Sequence, residues 1–113
     1  MSKKYQRLVL ERKDSILTIK LSSPEKRNAV DAFMHEELPQ ALREAAMDKT
    51  IGAIVLTGDP AGRAFCAGGD LDWIKTLTDG DGDDYSKVLR EGVEVLRALI
   101  DARQPVISMI NGA

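Results

Sequence analysis

Ile51-Gly52-Ala53-Ile54-Val55-Leu56-Thr57-Gly58-Asp59-Pro60 decides the architecture. Ile51 to Thr57 is a short apolar, β-branched run and Gly58-Asp59-Pro60 closes it as a turn, the pattern of a strand buried on both faces. Upstream the period changes. Val30, Phe33, Met34, Leu38, Ala41, Leu42, Ala45 and Ala46 recur at three- and four-residue steps, while Glu36, Gln40, Arg43 and Glu44 fall outside that stripe. This predicts a helix over Asp31 to Asp48, with Asp31 as its N-cap. Pro39 interrupts it; an interior proline costs about 3 kcal/mol, so a kink or two abutting helices are expected there. Earlier still, Leu8 and Leu10, then Leu17, Ile19 and Leu21, alternate with polar residues around the charged Glu11–Asp14 segment, which reads as an antiparallel hairpin.

Downstream of the deciding strand a glycine-rich loop leads to a second amphipathic stripe, Tyr85, Val88, Leu89, Val95, Leu96, Leu99 and Ile100, predicting a helix from Asp84 to roughly Arg103. Pro105 to Ile110 is a further short apolar run, closed by the turn signal Asn111-Gly112. Strands alternating with long helices specify an α/β architecture whose parallel strands require helical layers on their faces. Two long helices are few for that, and a strand apolar on both faces belongs inside a covered sheet rather than at a terminus. The polypeptide is therefore expected to be incomplete, with an exposed apolar strand at Pro105–Ile110 that aggregates or binds a partner.

With 113 residues and 12.4 kDa, the chain is read as part of one domain, 1–113. Apolar residues at 43% and charged residues at 30% exclude a disordered or low-complexity chain. The 16 Lys and Arg against 18 Asp and Glu give a net charge of −2, which argues against a nucleic-acid or membrane-surface binder. A single cysteine, Cys66, excludes an intrachain disulfide, and one cysteine with one histidine disfavours a zinc site. No apolar stretch approaches the roughly 20 residues of a membrane-spanning helix. The opening apolar run is cut by Glu11-Arg12-Lys13-Asp14 before a signal-peptide core develops, so a cytoplasmic location is the default expectation.

Ala64-Phe65-Cys66-Ala67-Gly68-Gly69-Asp70-Leu71-Asp72-Trp73 is the segment richest in chemical implication. Ala67, Gly68 and Gly69 permit close approach of a ligand to the backbone, and Asp70 is placed to cap a short helix beginning near Leu71. Outward-pointing amides at such a start suit an anionic or developing anionic oxygen. On local chemistry alone a plain tight turn with an N-cap is the favoured account, since a lone glycine-rich motif is a weak signal. The fingerprints of nucleotide-binding glycine loops are absent.

Three segments taken together carry more: Ser23-Pro24-Glu25-Lys26-Arg27-Asn28-Ala29-Val30, Ala64 through Leu71, and Pro105-Val106-Ile107-Ser108-Met109-Ile110-Asn111-Gly112-Ala113. In order and spacing they resemble the N-terminal portion of the enoyl-CoA hydratase/isomerase (crotonase) family. The resemblance implies a crotonase-like spiral of ββα units, of which this chain would hold the first turns. It implies an acyl-CoA substrate whose thioester oxygen, on becoming an enolate, is held by two backbone N–H groups, one of them the amide of Gly69. Gly68 would shape that loop, and Ala67 would line the pantetheine path. Lys26, Arg27 and Ala29 would form the turn that contacts coenzyme A, with Arg27 near the nucleotide phosphates; Asp70 and Leu71 complete the implied binding set. Coenzyme A enters as part of the substrate, and no metal, flavin or nicotinamide is implied. The family's second oxyanion donor and its acid/base glutamates lie beyond Ala113, so the reaction type is unspecified. Family members assemble as trimers or pairs of trimers, so a homo-oligomer, or a complementary C-terminal chain, is the implied partner. The alternative is a non-catalytic acyl-CoA-binding or structural half that pairs with a second chain.

Other candidates reduce to structure. Cys66 lacks a nearby base and reads as a small buried thiol. His35 borders the apolar stripe and reads as a packing or surface residue. Asp79-Gly80-Asp81-Gly82-Asp83-Asp84 superficially resembles a calcium loop, but its sixth position is Asp84 instead of glycine and its twelfth is Arg90 instead of glutamate. A mobile acidic loop capping the next helix is the expectation. Trp73 and Leu77 line either an acyl pocket, as that helix does in the family, or a packing contact.

Overall fold

A computed structural model describes residues 5–80 and 82–113. The opening alternation forms an antiparallel hairpin, β1 (Leu8–Lys13) and β2 (Ile16–Leu21), paired with Leu10 opposite Ile19. Asp14 takes a left-handed φ of 54° in its turn, a conformation aspartate tolerates better than most residues. Helix α1 (Ala32–Met47) follows, and its N-cap Asp31 accepts from the Met34 N–H, as the sequence predicts. Strand β3 (Ala53–Gly58), helices α2 (Leu71–Asp79) and α3 (Gly82–Asp101), and strand β4 (Val106–Met109) complete the order.

The four strands form one sheet in the order β1-β2-β3-β4, antiparallel between the first two and parallel thereafter. Ile19 lies opposite Leu56, and Leu56 opposite Ser108. Leu8, Leu17, Ile19, Leu21 and Ile54 project from one face into a core closed by Met34, Ala41, Leu42 and Ala45 of α1. Each is a strand or helix position of the apolar pattern, so the binary alternation itself builds the core. Gln104 caps the C-terminal end of α1, its amide N–H groups reaching the carbonyls of Ala45 at 3.0 Å and Ile51 at 3.2 Å.

Four expectations change. Of the two alternatives at Pro39, the continuous helix removes the pair of abutting helices; the ring is fully buried, and that packing offsets the backbone hydrogen bond that proline cannot donate. Strand β3 begins at Ala53, where the Gly52 and Ala53 N–H groups both reach the Ser15 carbonyl of the adjoining hairpin turn, at 2.7 and 3.3 Å. It is not buried on both faces: Ala53, Val55 and Leu56 are half-buried. Helix α3 starts two residues before Asp84. No helix among the described residues is long and apolar enough to cross a membrane.

Candidate functional site

The segment Ser23–Val30 leaves β2 through a 3-10 turn (Pro24–Lys26) and then takes two consecutive left-handed residues, Arg27 at φ 54° and Asn28 at φ 59°. The fully buried Asn28 side chain holds this path. Its Oδ1 accepts from the Ser23 N–H at 3.1 Å, and its Nδ2 donates to the carbonyls of Asp59 at 3.0 Å and Ala64 at 2.8 Å. Asparagine is among the side chains that best tolerate left-handed backbone, so conformation and clamp coincide. The Ser23 hydroxyl donates to the Ala29 carbonyl at 2.8 Å. Gly62 makes room for the clamp: a Cβ there would sit 2.6 Å from the Asn28 amide.

The second segment is laid against the first by backbone bonds. Ala67 N–H donates to Arg27 O at 3.2 Å, Val30 N–H to Gly68 O at 2.7 Å, and Asp70 N–H to Val30 O at 2.7 Å. Val30 and Gly69 thus form an isolated parallel bridge. In such a pairing the groups of the two flanking residues meet the partner, so the amide of Gly69 itself faces the other way. It has no acceptor among the described residues. Gly68 takes φ +94°, a conformation that favours glycine, and no neighbour lies within 4 Å of where its Cβ would be.

The third segment closes against the loop from behind. Asn111 brackets Gly58, donating to its carbonyl at 2.8 Å and accepting from its N–H at 3.2 Å. The Thr57 hydroxyl donates to Met109 O at 2.7 Å, and the Ala113 carbonyl accepts from Phe65 N–H at 2.8 Å and Cys66 N–H at 3.1 Å. The three segments quoted from the sequence therefore converge on one loop.

In front of that loop lies an open cavity of about 420 Å³, lined by Lys26, Ala29, Ala67, Gly69, Asp70, Leu71 and Asp72. Of the residues singled out from the sequence, Gly68 and Arg27 are not part of the lining; the Arg27 guanidinium instead donates to the Arg63 carbonyl at 3.4 Å. Asp70 occupies the N-cap position of α2 with extended backbone, but its carboxylate does not cap the helix. It is turned to the Lys26 ammonium at 3.2 Å, so the predicted cap gives way to an ion pair across the cavity wall. Leu71 is largely exposed.

The remaining candidates are placed elsewhere. Cys66 is half-buried with its sulfur 4.0 Å from Gly68 O. His35 Nδ1 lies 2.8 Å from Glu91 Oε1, and its ring is 5.3 Å from that of Trp73, tying α1, α2 and α3 together. Trp73 and Leu77 line a separate cavity of about 200 Å³ between those helices rather than the Gly69 cavity. Among the described residues no three potential ligands gather to hold a metal. Asp81 of the acidic segment lies outside them; Gly80 ends α2, and Gly82, Asp83 and Asp84 open α3.

Two contributors escape a reading by motif. Asn28 carries its weight through carbonyls that are remote in sequence. Asp59 accepts from the Ser22 hydroxyl at 2.7 Å and the Ala61 N–H at 3.0 Å, and these bonds, the hydroxyl's foremost, hold its carboxyl below the usual range. A short polar turn before the loop was the only available signal for Asp59.

A family model described as enoyl-CoA hydratase/isomerase matches residues 11–113. Over 99 residues the chain is 42% identical to a protein of Mycobacterium tuberculosis named "Probable enoyl-CoA hydratase", covering 88% of this chain and 36% of that one. It is 36% identical over 98 residues to the 1,2-epoxyphenylacetyl-CoA isomerase of Escherichia coli, covering 86% of this chain and 37% of that one. The crystal structure of an enoyl-CoA hydratase/isomerase from Mycobacterium paratuberculosis superposes with a TM-score of 0.87 at 33% identity, covering 94% of this chain and 41% of that one. The chain thus spans about 40% of the length of these proteins.

Proposed function

Because this chain belongs to the enoyl-CoA hydratase/isomerase family and carries an N-terminal portion of the crotonase fold, we propose that it contributes an acyl-CoA site in which the Gly69 N–H stabilises a thioester enolate. The observation that carries the reading is the direction of that amide. Val30 engages the carbonyl before Gly69 and the N–H after it, leaving the Gly69 N–H free beside a cavity large enough for an acyl thioester. A fixed dipole aimed where negative charge develops needs no reorganisation during reaction; losing one such donor typically costs about 10²- to 10³-fold in rate.

The surrounding roles follow from position. Ala67 and Ala29 are small walls past which a pantetheine chain runs, while Gly68 supplies the left-handed turn that presents Gly69. Lys26 and Arg27 take the anionic end of coenzyme A, and Asp70 and Leu71 set the near wall. Coenzyme A is part of the substrate, and the reading uses no further cofactor.

The test is binding of a β-ketoacyl-CoA, whose enolate has its own ultraviolet band. Mixing with the chain should strengthen that band, and Gly69→Pro, which deletes the amide, should abolish the gain while Gly69→Ala keeps part of it. Full enolate stabilisation by a folded Gly69→Pro chain would defeat the oxyanion role. A second reading, a structural unit that pairs with a further polypeptide, is favoured by the exposed apolar side chains of β4 and α3, among them Ile107, Leu96 and Ile100.

A further inference from the structure

We infer that Asp70 is an internal competitor for the anionic end of the ligand: in the free protein it occupies Lys26, and a ligand phosphate must displace it to use that ammonium. The inference deepens the acyl-CoA reading and rests on it. Its basis is a contrast between two N-cap aspartates. Asp31 does two things at once, accepting from the Met34 N–H with Oδ1 at 3.0 Å and from the Arg7 guanidinium with Oδ2 at 2.9 Å. Asp70 holds the same position on α2 but serves only its cation, with Oδ2 3.2 Å from Lys26 Nζ and no bond to the helix.

The cavity explains why this matters. Lys26 is its single lining cation, against the carboxylates of Asp70 and Asp72. Asp72 makes no ion pair among the described residues. A phosphate entering there meets an ammonium already paired with a carboxylate until Asp70 lets go. Once displaced, the Asp70 carboxylate has uncapped first-turn amides of α2 beside it, and an aspartate N-cap there offsets part of the lost ion pair. The backbone need not follow. The Asp70 N–H stays on Val30 O, so the neighbouring Gly69 amide keeps its direction while the side chain exchanges partners. The pair is accessible to such exchange, because the Lys26 side chain is 36% exposed.

The experiment is calorimetric titration of coenzyme A into the full 113-residue chain. Asp70→Asn, which retains an N-cap former, should tighten binding about two- to fivefold, the range expected for removing a partly exposed ion pair. A purely structural ion pair would give the opposite sign. In a Lys26→Met background the same substitution should bring no more than the small gain of Asp72→Asn, an equal charge change without the pairing. Unchanged or weaker binding by Asp70→Asn overturns the inference, as does an equal gain with Lys26→Met. If Asp70→Asn fails to melt cooperatively, Asp70→Ser is read by the same criteria. Coenzyme A binding to the wild-type chain without the predicted tightening removes this inference alone; no binding to the wild-type chain removes the acyl-CoA reading with it.

Discussion

Asn28 and Ala64, 36 residues apart in sequence, are joined by a buried 2.8 Å hydrogen bond from side-chain amide to main-chain carbonyl. That bond fastens the turn after β2 to the start of the glycine loop, and the same amide reaches Asp59. Replacing Asn28 with alanine strands the Ser23 N–H and the Ala64 carbonyl, leaves Asp59 O with only the Gly62 N–H at 2.9 Å, and places a less tolerant residue at φ 59°. The expected loss is about 2 to 4 kcal/mol, from unsatisfied buried polar groups and left-handed backbone together. Urea denaturation of Asn28→Ala measures it; a loss below about 0.5 kcal/mol, the scale of ordinary surface substitutions, would mean the clamp is dispensable.

Glycines 62 and 92 should respond with opposite signs. A Cβ at Gly62 meets the Asn28 amide at 2.6 Å, so Gly62→Ala is expected to cost about 1 to 3 kcal/mol through overpacking. Gly92 lies inside α3 with nothing within 4 Å of its Cβ position, and Gly92→Ala should stabilise by roughly 0.5 to 1 kcal/mol, mainly by restricting the unfolded chain. Paired thermal melts of the two variants decide the matter.

Acid should loosen the turn that Asp59 organises. Its carboxyl titrates lower in the fold than in the unfolded chain, because the Ser22 hydroxyl and then the Ala61 N–H favour the ionised form. That contribution is fully present above the unfolded value of about 3.9 and disappears as pH falls through the lower, folded one. Stability measured from pH 6 down to pH 2 should therefore drop less steeply for Ser22→Ala than for the wild type. Parallel curves would refute the assignment.

Among the described residues no strand pairs with the outer edge of β4, and Ile107, Met109 and Ile110 are 50%, 52% and 69% exposed beside it. An apolar edge of this kind pairs with other chains. Sedimentation velocity of the 113-residue chain should show concentration-dependent association that Ile107→Lys suppresses. A wild-type chain that stays monomeric at high concentration would count against the exposed-edge account.

What the sequence discloses is what local periodicity and composition control. The stripe from Val30 to Ala46 places α1 within a residue of its ends, and Asp31 caps it as predicted, because a helix and its cap are decided within one turn of chain. The alternation of Leu17, Ile19 and Leu21 likewise gives β2 and its buried face. Asp70 goes differently since its partner, Lys26, lies 44 residues away and competes with the local cap. Asn28 was visible as part of a motif but not as a clamp, its carbonyl partners being supplied by a loop no periodicity describes. The half-exposure of Ala53, Val55 and Leu56 in β3 depends on what the rest of the fold lays over each sheet face, which the apolar run does not specify. The gathering of Lys26, Ala29, Ala67, Gly69, Asp70 and Leu71 at one cavity was legible only through the resemblance of three separated segments, since nothing in any one of them specifies its distance to the others.

The bridge between Val30 and the glycine loop uses main-chain atoms alone. Side-chain replacement at position 30 thus has little purchase on where the Gly69 amide points, whereas a change in chain length does. One residue inserted between Ala29 and Ala32 would shift the pairing by a step and turn the amide toward the backbone it now faces away from. The site should accordingly forgive many substitutions in this stretch and almost no insertions or deletions, a signature that a library varying length separately from identity would expose.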